Sequence, residues 1–214
     1  MKTKKLVIFD FDGVLVDSFD FCLEINQANF PNMTSEKYKT WFLGNFYDAV
    51  DKEIEEGDFD ENQRQYWERF MKGIDQIVAF EKTKEMLERL KGFTLVVVSS
   101  SREDAIEKMM KNEDILNFFD KIYGCATHRS KIEKFKMILR DYNVDREDCI
   151  FVTDTLGDLR EAEKVGIESI AVGWGFHDEQ ILKQGNPKII VHKSDELVGE
   201  IEKHFARSYE KFGN

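Results

Sequence analysis

The sequence predicts an α/β fold: a parallel sheet with crossover helices, and a small all-helical segment inserted near its start. Three observations lead there. Short β-rich runs recur along the 214 residues, each followed by a helix-sized stretch, and that alternation marks a parallel sheet. The first run ends in two carboxylates one residue apart, Asp10 and Asp12. Roughly 60 residues then pass with helical patterns and aromatics but no convincing strand, too long for an ordinary connection.

The first strand is expected from Lys5 to Phe9, where Leu6-Val7-Ile8-Phe9 is apolar throughout, as in a strand covered on both faces. The helical stretch carries Phe19, Phe21, Trp41, Phe42, Phe46, Tyr47, Tyr66, Trp67 and Phe70, most of them expected as core. The division expected is residues 18–78 as a helical domain, with 1–17 and 79–214 forming the main unit. Further strands are expected at Phe93 to Val98, Lys121 to Gly124, Cys149 to Val152, Ser169 to Val172 and Lys188 to Val191. Between them, Glu81 to Lys91 reads as a helix closed by Gly92, and Asp158 to Val165 as one closed by Gly166. Ile132 to Tyr142 is a third.

Composition narrows the function. An apolar content of 42% with 34% charged residues describes a globular chain with a highly charged surface. A net charge of -11 argues against nucleic acid or an anionic membrane as partner, since either favours a basic face. An acidic protein that handles phosphate must concentrate positive charge locally. Cys22, Cys125 and Cys149 are widely spaced and odd in number, which points to a reducing cytoplasm. Met1-Lys2-Thr3-Lys4-Lys5 is basic like the start of a signal peptide, but the apolar run behind it is too short.

The chemistry gathers at strand exits. In open α/β sheets ligands bind beyond the carboxyl ends of the strands, so Asp10 and Asp12 fall at a candidate site. One can serve as nucleophile and the other as proton carrier; an acidic loop closing a strand is the other reading of the pair alone. Ser99-Ser100-Ser101 after the next strand offers hydroxyls and backbone N–H groups for an anion, or simply caps a helix. Lys131 opens a later helix, where it can neutralise a phosphate and an acid together. His128 and Arg129, on the same connection, are expected at the surface or behind the site. Thr153-Asp154-Thr155-Leu156-Gly157-Asp158 puts two more acids at a strand exit. Four carboxylates in one crevice repel unless a cation or shared protons intervene. Oxygen-only ligands with room for phosphate oxygens suit magnesium.

Taken in order, the Asp10–Ser18 motif, Ser99, Lys131, and Asp154 with Asp158 resemble the haloacid dehalogenase superfamily over nearly the whole chain. The likeness is to its phosphatases of the phosphoglycolate phosphatase and β-phosphoglucomutase-like kind, with a helical cap inserted after the first motif. The resemblance implies a Rossmann-like core and a magnesium-dependent phosphatase acting on a small phosphomonoester. Asp10 then corresponds to the nucleophile and Asp12 to the general acid/base, its backbone carbonyl also on the metal. Ser99 and Lys131, with Ser100 beside them, correspond to the phosphate-holding residues. Asp154 corresponds to the magnesium ligand, and Asp158 to a ligand through water or a partner of Lys131. Trp41-Phe42-Leu43-Gly44-Asn45-Phe46-Tyr47 resembles the cap loop that enters the site, so Gly44 and Asn45 are expected at the substrate.

The chain departs from the family pattern at Thr153, where many members carry glycine, at Ser100, where asparagine is frequent, and at Ile132, where proline often follows the lysine. Asp12 stands where hydrolytic dehalogenases carry tyrosine, so carbon–halogen cleavage is disfavoured. A phosphomutase passing the phosphoryl group to a sugar is the alternative on the same fold. A non-catalytic phospho-accepting receiver is remote, because receivers lack the insert and do not need Asp12.

Overall fold

A computed structural model describes residues 4–54 and 59–210, with the side chains of residues 59–60 and 207–210 outside the description. Met1 to Thr3 of the basic start, and the corresponding parts of the expected domain spans, lie outside the described residues.

The chain runs through β1 (Leu6–Phe9), β2 (Val16–Asp17), α1 (Phe19–Asn29), α2 (Ser35–Thr40), α3 (Phe46–Glu53) and α4 (Phe59–Gly73). It returns through β3 (Val78–Ala79), α5 (Thr83–Arg89), β4 (Thr94–Val98), α6 (Glu103–Asn112) and β5 (Lys121–Tyr123). It closes with α7 (Lys131–Tyr142), β6 (Cys149–Thr153), α8 (Leu156–Val165), β7 (Ser169–Val172), α9 (Glu179–Leu182), β8 (Ile189–Val191) and α10 (Ser194–Glu210). Six strands form one sheet in the order β5-β4-β1-β6-β7-β8, and every pairing in it is parallel.

The apolar pattern explains the layering. Every residue of β1, β6 and β7 is buried, whereas the edge strands β5 and β8 each begin with an exposed residue. Alternation along β1 sends Val7 and Phe9 to one face, into a core shared with Met86 of α5, Ile106 of α6 and Ile201 of α10. Leu6 and Ile8 go to the other face, with Phe135 and Ile138 of α7. There the Phe135 and Phe151 rings meet edge-on at 4.9 Å.

The chain leaves β1 toward β4 and β5 on one side and comes back to β6 on the other. Strand order therefore reverses at β1, and a crevice opens beyond its carboxyl end. The six expected strands are all present, each within a residue or so of its expected bounds. Gly166 caps α8 with φ +77° as expected. Gly92 does not cap α5. The helix stops at Arg89 because Leu90 turns into the core, fully buried, and Phe93 N–H donates to the Leu90 carbonyl at 2.9 Å.

The helical stretch hangs from a ribbon that the sequence did not announce. Val16 pairs antiparallel with Ala79 and Asp17 with Val78, so the chain enters and leaves α1–α4 at one point. Two-residue strands carry no periodicity to read. Within the stretch, Asn45 caps α3, its Oδ1 accepting from Tyr47 N–H at 3.0 Å and Asp48 N–H at 3.4 Å. Among the described residues, no helix is long and apolar enough to cross a membrane.

Candidate active site

Asp10 follows β1 and is held to the neighbouring strand exit by its N–H on the Val152 carbonyl at 2.8 Å. Its side chain is fixed from two directions. Oδ1 accepts from Phe11 N–H at 2.8 Å, and Oδ2 lies 2.9 Å from Lys131 Nζ. The same ammonium is 2.6 Å from Asp158 Oδ2, which also accepts from Thr153 Oγ1 at 2.9 Å. Lys131 is only 3% exposed, so this is a buried bridge between two acids rather than a surface ion pair.

Burial sets the protonation energetics. It pushes the Asp10 carboxyl well above the ordinary carboxylate range; Lys131 pulls it back, and Asp158 and Asp154 push it up again. Burial also raises Asp158, but the Lys131 ammonium and hydrogen bonds from its neighbours outweigh it, and Asp158 ends below its usual range. Lys131 itself is disfavoured by burial yet ends above the usual lysine value because Asp10 and Asp158 face it.

Asp12 is clasped by hydroxyls. Oδ1 accepts from Ser18 at 2.7 Å, and Oδ2 from Ser101 at 2.8 Å and Ser99 at 3.3 Å. The turn between the two acids needs Gly13. Its φ is +76°, and a Cβ there would stand 2.1 Å from Asp154 Oδ2.

Asp154 sits behind this turn, fully buried. Oδ2 accepts from Phe176 N–H at 2.7 Å, while Oδ1 has no hydrogen-bond partner. Burial raises its carboxyl to about 7. An orphaned buried carboxylate oxygen is costly and calls for a partner.

The four acids do not converge as a single cation cluster. Among the described residues no three His, Cys, Asp or Glu side chains are placed to hold a metal together. Lys131 compensates Asp10 and Asp158 together, hydroxyls hold the half-buried Asp12, and Asp154 keeps one unpartnered oxygen. Asp158 contacts Lys131 at 2.6 Å. Asp154 with its free oxygen, Asp10 and the nearby backbone oxygens still offer the hard donors that suit magnesium, which takes few protein carboxylates and leaves room for water and phosphate.

The predicted residues mostly meet in one pocket of about 960 Å³, its open mouth included. Asp10, Asp12, Ser99, Ser100, Lys131, Asp158 and Gly44 line it. Asn45 and Asp154 are not among the described lining residues. Asn45 instead caps its helix and donates from Nδ2 to Glu161 at 3.2 Å, holding the loop that carries Gly44. That loop closes on α8, where Gly157 N–H donates to the Phe42 carbonyl at 2.8 Å. A Cβ on Gly157 would fall 2.1 Å from the Gly44 oxygen. Arg129 ion-pairs with Asp51 at 3.2 Å and lies over the Tyr47 ring, behind the pocket wall.

Several residues escaped the sequence reading. Ser18 and Ser101 hold Asp12, and Tyr47 Oη donates to the Ser100 carbonyl at 2.6 Å. Lys134, one turn beyond Lys131 and fully buried, donates to the Ser99 carbonyl at 2.5 Å. Burial, reinforced by Lys131, brings its amine down to about 8. The spacing Lys131-Ile132-Glu133-Lys134 is the one sequence signal that could have marked it, since residues three apart share a helix face. A fixed buried carboxylate, a hydroxyl-held one and a shared ammonium in one pocket are the parts that nucleophilic group transfer requires.

Known proteins resemble the chain along most of its length. It is 23% identical over 215 residues to a phosphoglycolate phosphatase of Aliivibrio fischeri, covering 90% of this chain and 93% of that protein. A 5'-nucleotidase of Pseudomonas aeruginosa is 27% identical over 199 residues, covering 85% of this chain and 88% of that protein. The solved structure of a haloacid dehalogenase-like family hydrolase from Streptococcus pneumoniae superposes with a TM-score of 0.79 at 23% identity, over 94% of this chain and 99% of that one, which shows a shared fold. The sequence model of the haloacid dehalogenase-like hydrolases matches residues 7–172, most of the chain, and with the sheet and strand-exit residues described above it makes this protein a member of that family.

Proposed function

We propose that the protein is a magnesium-dependent phosphatase that hydrolyses a small phosphomonoester through an aspartyl phosphate on Asp10. The observation that carries the reading is Lys131, a buried ammonium tied to Asp10 and Asp158 at the floor of the pocket. The names of the relatives, phosphoglycolate phosphatase and 5'-nucleotidase among them, support it. Phosphoryl transfer depends on positioning and charge neutralisation more than on new covalent machinery.

The Phe11 N–H and Lys131 aim the Asp10 carboxylate for attack on phosphorus. As the Asp10 oxygen bonds to phosphorus, the ester P–O bond breaks and Asp12 gives the leaving alkoxide its proton. Asp12 then takes a proton from the water that attacks phosphorus and releases Asp10. Serine hydroxyls donate or accept by rotating, so Ser18, Ser99 and Ser101 can hold Asp12 in place in either protonation state. Ser99, Ser100 and Lys131 hold the phosphate, and Lys134 fixes the Ser99 carbonyl behind them. Magnesium would be held by Asp10, Asp154 and the Asp12 backbone carbonyl, and supplies further charge neutralisation when bound.

Residues 18–78 act as a cap over a core of 1–17 and 79–214, excluding water from the transfer. Tyr47 on the Ser100 carbonyl and Gly157 on the Phe42 carbonyl latch the cap to that core. Gly44 borders the substrate and Asn45 supports it from the helix cap. The free thiols Cys22, Cys125 and Cys149 accord with a reducing, cytoplasmic setting.

The test is Asp10→Asn, assayed by inorganic phosphate release from a generic phosphomonoester with magnesium present. Turnover should fall about 10⁴-fold or more. A variant as fast as the parent removes the aspartyl phosphate from the account.

A further inference from the structure

We propose that the substrate's leaving group is an uncharged alcohol bearing a flat aromatic ring, not a second anion; this rests on the phosphatase reading and specifies its substrate class. The argument begins with what lines the pocket away from Asp10 and Lys131. Phe30, Phe42, Phe46, Tyr66 and Trp67 present aromatic surface there, and Phe176 adds a ring beside the Gly13 turn. The rings brace one another: Phe42 stacks on Phe46 at 5.2 Å and 24° and meets Phe176 edge-on at 5.0 Å. Trp67 meets Tyr66 edge-on at 5.2 Å. Braced rings cannot readily turn aside, so an entering group meets aromatic faces and edges, which favour another flat ring.

The charges exclude the alternative. Among the described lining residues Lys131 is the one cation, and it is already shared by Asp10 and Asp158. Glu161, only 6% exposed, adds a carboxylate to the wall. Arginines come close but are not among the described lining residues, and each is engaged elsewhere. Arg102 lies over the Trp67 ring and pairs with Asp104, Arg129 lies over Tyr47 and pairs with Asp51, and Arg69 donates to Asn29. A carboxylate or second phosphate on the leaving group would therefore be desolvated beside Glu161, with no cation free of other partners among the described lining residues to meet it.

The polar groups of the far wall are amides instead. Asn26, Asn29, Asn62 and Gln63 line the pocket at the helical end, with Asn26 Nδ2 donating to the Cys22 carbonyl at 2.8 Å and Asn29 held between Arg69 and the Asn62 carbonyl. Amides combine donors and acceptors without charge, which matches the mixed edge of a heteroaromatic ring. Relatives whose names indicate an anionic leaving group, such as phosphoglycolate phosphatase, would then differ from this chain in substrate, whereas a 5'-nucleotidase releases a ring-bearing alcohol.

The experiment measures kcat/KM for the full chain, with magnesium in the buffer, on phenyl phosphate, a nucleoside 5'-monophosphate, 2-phosphoglycolate and inorganic pyrophosphate. At least one ring ester should exceed both substrates with an anionic leaving group by about 100-fold. The two ring arms separate a bare ring from a ring carried on a sugar. In addition, Trp67→Ala should cut kcat/KM for the preferred ring ester about 10-fold more than for 2-phosphoglycolate, mainly through KM, with Trp67→Phe restoring much of it. Preference for 2-phosphoglycolate or pyrophosphate, or equal losses on both substrate types, overturns the inference and leaves the phosphatase reading standing. No turnover of any of the four sinks that reading, and the inference with it.

Discussion

Replacing Lys131 with methionine keeps the unbranched chain out to Cε and removes the terminal ammonium, so it isolates what that buried group does. In the parent its Nζ stands 2.9 Å from Asp10 Oδ2 and 2.6 Å from Asp158 Oδ2. At an effective dielectric constant near 20, each contact has a gross attraction of about 6 kcal/mol. Most of that is offset by desolvating three charges, and removing one partner of such a buried set costs about 3–5 kcal/mol. The cost should depend on pH. In the parent, Asp158 lies below its unfolded value, so its contribution is present above that value and fades only as pH falls through the folded one. In the variant, two buried carboxylates without a cation are both raised above their unfolded values. Their folded forms then bind protons more readily, and stability is regained as pH falls. Urea unfolding followed by tryptophan fluorescence, with chelator present, should show a gap of about 3–5 kcal/mol at pH 8 that narrows by about 1–2 kcal/mol at pH 5.5. A gap below about 1 kcal/mol, or one that ignores pH, refutes the bridge as the organiser of the site.

Magnesium should raise the melting temperature of the parent but not of Asp154→Asn. Because burial raises the Asp154 carboxyl to about 7, protons compete with the cation, and binding measured by calorimetry should tighten as pH rises through that value. Gly157→Ala would press a Cβ to 2.1 Å from the Gly44 oxygen. It should cost about 1–3 kcal/mol and raise KM, as thermal unfolding and steady-state kinetics would show. Lys134, lowered by burial to about 8, is neutral in the folded chain across a range where the unfolded chain still binds the proton. Parent stability should therefore gain about 3 kcal/mol relative to Lys134→Met between pH 8 and pH 10.5, a slope that chemical denaturation at alkaline pH would detect.

The sequence made the sheet legible because its strands are unbroken apolar runs with residues such as Val96, Ile150 and Ile170 facing neighbours on both sides. It also revealed the reacting edge, since Asp10, Ser99 and Asp154 each stand immediately after such a run. What it could not reveal is long-range partnership. Ser101 reaches Asp12 across 89 residues and Lys134 reaches the Ser99 carbonyl across 35, and no local pattern encodes either contact. Asn45 was placed at the substrate by its loop, but the backbone N–H groups at the start of α3 claim its side chain. Thr153 departs from the family pattern, and only the structure shows what it does there: its hydroxyl donates to Asp158 at 2.9 Å.

The charge balance of the pocket ties these pieces together. A chain with a net charge of -11 must bind a phosphate dianion beside acids it cannot dispense with. Lys131 cannot achieve this alone, since it already serves two carboxylates, and Lys134 is turned toward the Ser99 carbonyl. Aromatic walls add no positive charge, and Glu161 adds the opposite. On the function proposed above, the remaining source would be a divalent cation at the orphaned Asp154 oxygen, where Gly13 and Gly175 let the backbone approach so closely that a Cβ on either would strike the carboxylate. The same balance explains why the phosphate end of the pocket can hold charge while the helical end cannot. Among the described lining residues, no cation farther out than Lys131 is left to neutralise another anion.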